Sequence, residues 1–536
     1  MGSLPTPKRI LLLTNSEHGQ ANVFLATSFA LLTLSPSSQP VEIHFASFPP
    51  IQKFVHSISH HAQQANPNSL PIIFHPVSGV AMVSAWSRPE TTAERQSLRN
   101  LDLFDAIQRM RVLLKVTLPW KGPEFVQIMH SVLSILGQAK PDAIAVDPAF
   151  SPALTALRHA RAKFVVLSPN AIKDFAMPHQ PNGEALWRYP VTGTPHAFPL
   201  PVWRIPGNVL LVLIALLCSA VFDSNRREIQ RLVDRDFPGA ELTTLNDLSL
   251  RPEQLKTKFL VANLRELEFP LSNVPGHIIP CGPMIRPALK VDEVDPRLAK
   301  WLARARTVYI NLGTHLFFDE EFAVEMAKGV KILLDYARSV EWVDLSKRLR
   351  GLQVLWKLNN TGDAEEVKGP WAAVRKVLGE EIDRDLVRVV EWIEAEPTAV
   401  LEAGTVVCAV HHGGANTFLE TVSAGVPQVV LPVWMDTYDF ARRAEHLGIG
   451  RWGNRLSGTD KVCKGEELGS VLIDVVVGGR WSVYADNSKR LADLCKKNGG
   501  GRAIAARHIL AEMDVQDEDD EDESDGFAHT SKGNSI

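Results

Sequence analysis

The densest concentration of residues with chemical use lies in VVCAVHHGGANTFLETVSAGVPQVVLPVWMD, residues 406–436. A β-branched apolar run leads into His411, His412, Gly413 and Gly414, and a helix is expected to open near Asn416. Two adjacent glycines let backbone N–H groups approach a ligand closely, and the helix N-terminus adds the positive end of its dipole, a combination suited to a diphosphate. His412 can donate to a phosphate oxygen, Thr417 can add a hydroxyl, and Glu420, one turn into the helix, can bridge a ribose diol. Asp436 follows a second apolar run, Gln428–Leu431, near the same strand ends. On these residues alone, a tight strand-to-helix turn without a ligand accounts for the pattern equally well.

Candidates for proton transfer lie far upstream. The run Arg9–Thr14 leads into Asn15-Ser16-Glu17-His18-Gly19-Gln20, and a helix is expected from about Ala21. His18 then falls at the carboxyl end of the first strand, where open α/β sheets gather their active groups. Asp147 closes the run Ala143–Asp147 and offers a carboxylate that can hold one imidazole nitrogen while the other takes a proton. Asp142, at the opposite end of that run, is the weaker alternative. No metal site is expected, since the Asp-x-Asp pairs Asp234/Asp236 and Asp383/Asp385 are of a kind frequent by chance.

The elements that must position these residues alternate. Strands are expected at Arg9–Thr14, Val41–Ala46, Ile72–His75, Ala143–Asp147 and Phe164–Leu167, with helical Ser151–Ala162 between the last two. A second alternating unit has strands at Val308–Leu312, Val354–Leu358, Val387–Val390, Val406–Val410 and Gln428–Leu431. Its helices are expected at Glu320–Ala337, at Thr417–Ala424 and across Asp486–Ala511, broken at Gly499–Gly501. Such spacing predicts two doubly wound α/β domains with a ligand crevice between them. The aperiodic, Pro-rich stretch 270–290 marks the link, giving domains at 1–275 and 291–512, a linker at 276–290 and a disordered acidic tail at 513–536.

Composition narrows the function classes. Hydrophobic residues make up 45% and charged residues 22%, an ordinary soluble balance. The net charge of −4 is set by the tail: without residues 512–536 there remain 56 basic and 51 acidic residues, a body of about +5. That excess is too mild and scattered for nucleic acid. Five cysteines without a C-x-x-C pair point to a reducing compartment, and the N-terminus lacks a secretory pattern, so a cytoplasmic location is expected. Met1-Gly2-Ser3-Leu4-Pro5-Thr6 fits the loose myristoylation template. The charge-free segment 209–222 is shorter than the ~20 residues of a bilayer span and is expected as a buried helix or pocket wall, with weak peripheral membrane association as the alternative.

The spacing within 406–436 resembles the signature of the family 1 UDP-glycosyltransferases, in which H-x-G-x-N-S-x-x-E is followed sixteen residues later by Asp-Gln. His412, Gly414, Asn416, Thr417 (for Ser) and Glu420 match, and Asp436 lies sixteen residues beyond Glu420. TVYINLGTHLFFDEE at 307–321, Leu355-Trp356-Lys357 and HIIPCGPM at 277–284 are similar to further strands and the linker of that family. The resemblance implies the GT-B architecture, two Rossmann-like domains across a cleft, and a UDP-sugar as donor and co-substrate without a cofactor or metal. It implies donor-binding roles for Gly313, Thr314, Trp392, His412, Gly414, Ala415, Asn416, Thr417, Glu420, Asp436 and Thr437: the His, Asn and Ser positions on the diphosphate, Glu on ribose, Asp on the sugar and Trp on uracil. Thr437 departs from the usual Gln, and Trp392 lies two residues further from His412 than in plant members, without Pro-Gln after it.

In the first half, the resemblance makes His18 the base for the acceptor hydroxyl and Asp147 its partner, although Glu17 and Ala21 replace the Gly and Pro of G-H-x-x-P. The chain is similar to fungal members acting on lipophilic metabolites. The expected acceptor is therefore a lipophilic hydroxylated small molecule, met by an apolar surface of Phe104, Trp120, Trp187 and segment 209–222. A sterol or lipid glucosyltransferase and a non-catalytic nucleotide-sugar sensor are the alternatives.

Overall fold

The structure, a computed structural model, describes residues 6–35, 40–88, 106–221, 223–250, 257–313, 319–339, 351–359, 370–456 and 463–513. Two parallel sheets organise the chain. The first contains β1 (Lys8–Leu13), β2 (Val41–Ser47), β3 (Ile73–Pro76), β4 (Ala143–Val146), β5 (Val165–Ser168), β6 (Phe259–Val261) and β7 (Ile278–Pro280), in the order β3-β2-β1-β4-β5-β6-β7. The second contains β8 (Arg306–Asn311), β9 (Leu352–Lys357), β10 (Val387–Val390), β11 (Val406–His411), β12 (Gln428–Val430) and β13 (Gly450–Trp452), in the order β10-β9-β8-β11-β12-β13. Central strands such as Ile10-Leu11-Leu12-Leu13 are apolar without alternation and wholly buried, because helices cover both faces of each sheet. These are two Rossmann-like domains of the GT-B kind.

In each sheet the strand order reverses beside the first strand, so a crevice opens at the carboxyl ends of β1 and β4 and again at those of β8 and β11. His18 and Asp147 follow β1 and β4, while Gly313 and His412 follow β8 and β11. Four candidate residues from distant parts of the chain thus come from the two places where such sheets hold ligands.

Several elements depart from the sequence expectation. Strands β6, β7 and β13 have three residues each, too short to display a period. Ile278–Pro280, within the expected linker 276–290, pairs with β6 and completes the first sheet, so the crossing to the second domain follows Pro280. The expected long C-terminal helix runs as Trp481–Lys496, a 3₁₀ turn Lys497–Gly499, and a helix over 501–513. That last helix departs from the expected 291–512 domain. Ala505, Ala506 and Ile509 share a core with Ile10 and Leu31, and Lys258 pairs with Glu512 at 2.5 Å. The two crossing strands of chain meet at Gly501, where a Cβ would stand 1.9 Å from the carbonyl oxygen of Gly282, so no larger residue fits. The acidic tail beyond Met513 lies outside the described residues.

Segment 209–222 is not the buried helix expected. It forms most of the helix Ile205–Val221, and Leu210, Leu213, Leu216 and Leu217 are exposed on it. Among the aromatics expected to line an acceptor surface, Trp120 belongs to the core of the first domain, fully buried with Nε1 donating to the Val80 carbonyl at 2.8 Å. Trp187 is exposed, and Phe104 lies outside the described residues.

Candidate active site

β11 ends in two histidines with different roles. His411 is fully buried. Its Nδ1 accepts from the Gly413 N–H at 3.0 Å, so Nε2 carries the proton and donates to Gln428 Oε1 at 2.8 Å on neighbouring β12. Burial pushes its pKa down to about 4, which keeps the ring neutral near pH 7. His411 is therefore a pillar of the turn. The half-buried His412 ring lies against Gly313 and Gly414, and 6.1 Å from the ring of Trp434 between centres. A Cβ on Gly414 would meet His412 Nε2 at 2.6 Å, and one on Gly413 would meet the Thr437 carbonyl oxygen at 2.9 Å. The glycines make room for the histidine ring and for the following helix. The Gly413 N–H, expected to approach a ligand, is engaged by His411 instead.

The N–H groups left for an anion are those of the first turn of helix Ala415–Ser423, because its N-cap, Gly414, has no side chain to cover them. Asn416 points across the cleft: its Nδ2 donates to the carbonyls of His18 at 2.9 Å and Gly19 at 3.3 Å. Thr417 is half-buried on the same turn. Glu420 is pushed up to about 7 by burial; Arg286 opposes this and Glu396 adds to it, and those two pair at 2.8 Å.

After β12, Asp436 is open to solvent, yet enclosure by surrounding protein, with Asp174 nearby, pushes its carboxyl up to about 7. Thr437 is buried, and its hydroxyl accepts from the N–H groups of Val433 and Trp434, both at 3.1 Å, and donates to the Trp434 carbonyl. That hydroxyl is occupied in shaping the turn, which leaves Asp436 facing the cleft. Trp392 is 61% exposed just after β10, with Lys357 Nζ 4.9 Å from its ring centre, so it presents ring surface on which a base can stack. Gly313 is held by Asn311 Oδ1, which accepts from its N–H at 3.1 Å, and by Asn359, which donates to its carbonyl at 2.8 Å. Thr314 lies outside the described residues.

On the opposite wall, His18 is the first residue of helix His18–Leu34, and its ring stands edge-on to Phe54 with centres 4.5 Å apart. Asp147 is fully buried: Oδ2 accepts from Thr14 Oγ1 (3.3 Å) and from the Asn15 N–H (3.3 Å) and Nδ2 (3.1 Å), and Oδ1 from the Ala149 N–H (2.8 Å). Its link to His18 in this structure runs through the loop Asn15–His18. Burial pushes the carboxyl up to about 6 against these hydrogen bonds. Glu17 adds a second carboxyl, pushed up to about 7 by burial, with Oε1 accepting from the Val83 N–H at 2.6 Å.

A buried ionic cluster next to the site joins the two domains. Lys173 Nζ meets Asp439 Oδ2 at 2.5 Å, Arg443 pairs with Glu268, and Arg442 pairs with Asp439 while donating to the carbonyls of Thr194 (2.5 Å) and His196 (2.8 Å). Asp439, Arg442 and Arg443 lie on helix Thr437–His446, directly after Asp436, and apart from the Arg442–Asp439 pair within that helix their partners belong to the first domain. Neither the interdomain pairs of this cluster nor the pairing of His411 with Gln428 was legible in the sequence, because they join residues from 17 to 266 positions apart. Arg286 was missed because it sits in a Pro-rich stretch without a period. Among the described residues, no group of three or more His, Cys, Asp or Glu side chains is placed to hold a metal.

Comparison with known proteins agrees with this geometry. The family described as erythromycin biosynthesis protein CIII-like, C-terminal domain, matches residues 377–480. "Glycosyltransferase sdnJ" of Sordaria araneosa is 30% identical over 512 residues, covering 92% of this chain and 95% of that protein. A "UDP-glycosyltransferase" of Talaromyces amestolkiae is 25% identical over 49% of this chain and 47% of its own length. "UDP-glycosyltransferase 84B2" of Arabidopsis thaliana is 29% identical over 32% of this chain and 36% of its own. Two solved structures share the fold, each with TM-score 0.59, 16% identity and 95% of this chain covered: a glycotransferase of kitacinnamycin (100% of that chain) and a UDP-glucosyltransferase from Polygonum tinctorium (99% of that chain). With these strand orders, this turn and a relative matched almost end to end, the chain belongs to the family 1 UDP-glycosyltransferases and is a glycosyltransferase.

Proposed function

We propose that the enzyme moves a hexose from a UDP-sugar to a hydroxyl of a lipophilic small molecule, a secondary metabolite, by one in-line displacement with inversion. The observation that carries this reading is the uncapped start of helix Ala415–Ser423 beside His412, facing the start of helix His18–Leu34 across the cleft. The diphosphate sits on the first turn of Ala415, Asn416 and Thr417 with His412, Gly414 and Gly313, and Thr314 is assigned to it from its place in the sequence alone. Glu420 takes the ribose, Trp392 the uracil, and Asp436 the sugar. Thr437 supports Asp436 by holding the turn.

His18 takes the proton of the acceptor hydroxyl, whose oxygen bonds to the anomeric carbon as the bond from that carbon to the β-phosphate oxygen breaks. Asp147, acting through the Asn15–His18 loop, stabilises the resulting imidazolium. UDP departs onto the helix dipole and His412, which supply the charge stabilisation with no cofactor or metal in the scheme. The enzyme is read as cytoplasmic, with weak membrane association through segment 209–222. Mass-spectrometric screening of several UDP-sugars against an extract of apolar hydroxylated metabolites tests the reading. A mass gain of one hexose on an apolar acceptor supports it. Binding of UDP-sugar without transfer across the extract would overturn it in favour of a sensor.

A further inference from the structure

The helix Ile205–Val221 has no charged residue, and its two faces meet different surroundings. The inner face is fastened to the first domain. Leu211 and Cys218 are buried against Ala106 and Met110 of helix Ala106–Thr117. Asn208 Nδ2 donates to the carbonyls of Leu186 (2.9 Å) and Tyr189 (3.1 Å), and its Oδ1 accepts from the Val191 N–H (2.9 Å). The outer face is open: Leu210, Leu213, Leu216 and Leu217 are 47–59% exposed, and Val202 and Trp203, in the turn leading into the helix, 77% and 79%. Positions 203, 206, 210, 213 and 217 form one stripe at helical spacing. A contiguous row of large apolar side chains with a tryptophan at its edge differs from the isolated exposed leucines of an ordinary surface.

The charges nearest this stripe are mostly basic, although Glu184 pairs with Arg188 at 3.0 Å and Asp223 caps the helix that follows. From Ala185 to Val221 the chain carries Arg188 and Arg204 and no acidic residue, and the adjoining helix Ala106–Thr117 carries Arg109, Arg111 and Lys115 and no acidic residue. At 1.5 Å per residue the charge-free helix is about 25 Å long, short of the ~30 Å hydrocarbon core, and its fastened inner face keeps it from threading a bilayer. Although Val202–Asp236 as a whole is long and apolar enough to cross a membrane, its second half, the helix Ser224–Asp236, is densely charged.

We propose that the outer face of Ile205–Val221 docks the enzyme on a membrane surface containing anionic lipid. The helix lies in the plane of the interface, with its leucines and Trp203 at the acyl boundary and the exposed Arg204 of the entry turn against headgroup phosphates. Two copies paired through the same face would bring two mostly basic flanks together, which disfavours a dimer there. This deepens the membrane part of the proposed function, and it holds or fails apart from the transfer chemistry.

The test floats the full-length protein with vesicles of phosphatidylcholine alone and of phosphatidylcholine with phosphatidylserine. The protein is expected to float with the anionic vesicles, more weakly with the neutral ones, and less as salt is raised. Leu213→Glu/Leu217→Glu, both on the outer face, should reduce bound protein at least about tenfold with unchanged thermal midpoint. Trp203→Ala should give an intermediate loss. Failure of the wild type to float with either vesicle would overturn the proposal, as would undiminished flotation of the double variant. A dimer in solution abolished by the double variant, without vesicle binding, would assign the face to a second copy. UDP binding measured by calorimetry, at a site to which segment 209–222 contributes no residue and so unchanged in the double variant, separates loss of docking from failure of the enzymatic reading.

Discussion

The side-chain amide of Asn416, on the first turn of helix Ala415–Ser423 in the second domain, donates to the carbonyl oxygen of His18 at 2.9 Å. With a longer bond to the Gly19 carbonyl at 3.3 Å, it registers the start of helix Ala415–Ser423 against the start of the helix that carries the proposed base. Asn416→Ala should weaken domain closure by about 1 kcal/mol, the worth of one such bond. Transfer should fall several-fold, and solution scattering should show a wider cleft in the absence of donor. An unaltered scattering profile together with unaltered kcat/KM would remove any interdomain role for Asn416.

His18→Ala should lower kcat by about 10²–10⁴-fold, the range for loss of a general base, while UDP affinity measured by calorimetry stays the same. Near-full transfer to an oxygen acceptor by this variant would show that another group takes the proton.

The adjacent histidines should separate cleanly. His411→Ala leaves Gln428 and the Gly413 N–H without their buried partner, so thermal unfolding should reveal a loss of roughly 2–4 kcal/mol. His412→Ala should leave the midpoint nearly unchanged and lower transfer by about 10²–10³-fold, as for removal of a donor to developing charge. The reverse pattern in either variant would exchange their roles.

Glu17 supplies a pH test. Its carboxyl is raised from 4.5 to about 7 in the folded chain, so the folded state binds that proton more tightly than the unfolded state does. The associated stability is fully present below pH 4.5 and is lost as pH rises through 7. Glu17→Gln keeps an oxygen for the Val83 N–H and removes the titration. Relative to wild type, the variant should gain stability from pH 4.5 to pH 8, at most about 3 kcal/mol. Parallel stability curves for the two proteins over that span would show that Glu17 is ionised throughout.

The interdomain cluster predicts a large effect from a conservative change. Glu268→Gln leaves the wholly buried Arg443 without its countercharge, and breaking such a pair costs about 3–5 kcal/mol. Unfolding midpoints should fall markedly. Asp383→Asn, on the exposed pair with Arg375, should change stability by less than about 1 kcal/mol. Equal effects at the two sites would mean that the cluster is no more buried in solution than a surface pair.

Much of this molecule is local in origin and could be read from spacing. The parallel strands announce themselves because both faces of each sheet are covered, so β1 and β11 read as unbroken apolar runs. The glycine turn after β11 is likewise confined to a single strand–turn–helix unit, and the sequence spacings from His412 to Glu420 and Asp436 belong to that unit. Residues in such a unit cannot move relative to one another without the fold changing, which is why their spacing carries a family's chemistry.

Tertiary structure decided what depends on partners far along the chain. His411 became the buried pillar only through Gln428 on the next strand, and Thr437 turned inward to its own loop. Trp120 entered the core, while the charge-free helix Ile205–Val221 kept one face in the open. Helix 501–513 returned to the first domain, and Asn416 reached His18 across nearly four hundred residues. Hydrophobicity and spacing show that a side chain is to be covered or that a turn can hold a phosphate. They do not say what does the covering, because the burial of a group and the partner of a buried charge are properties of the packed assembly of elements.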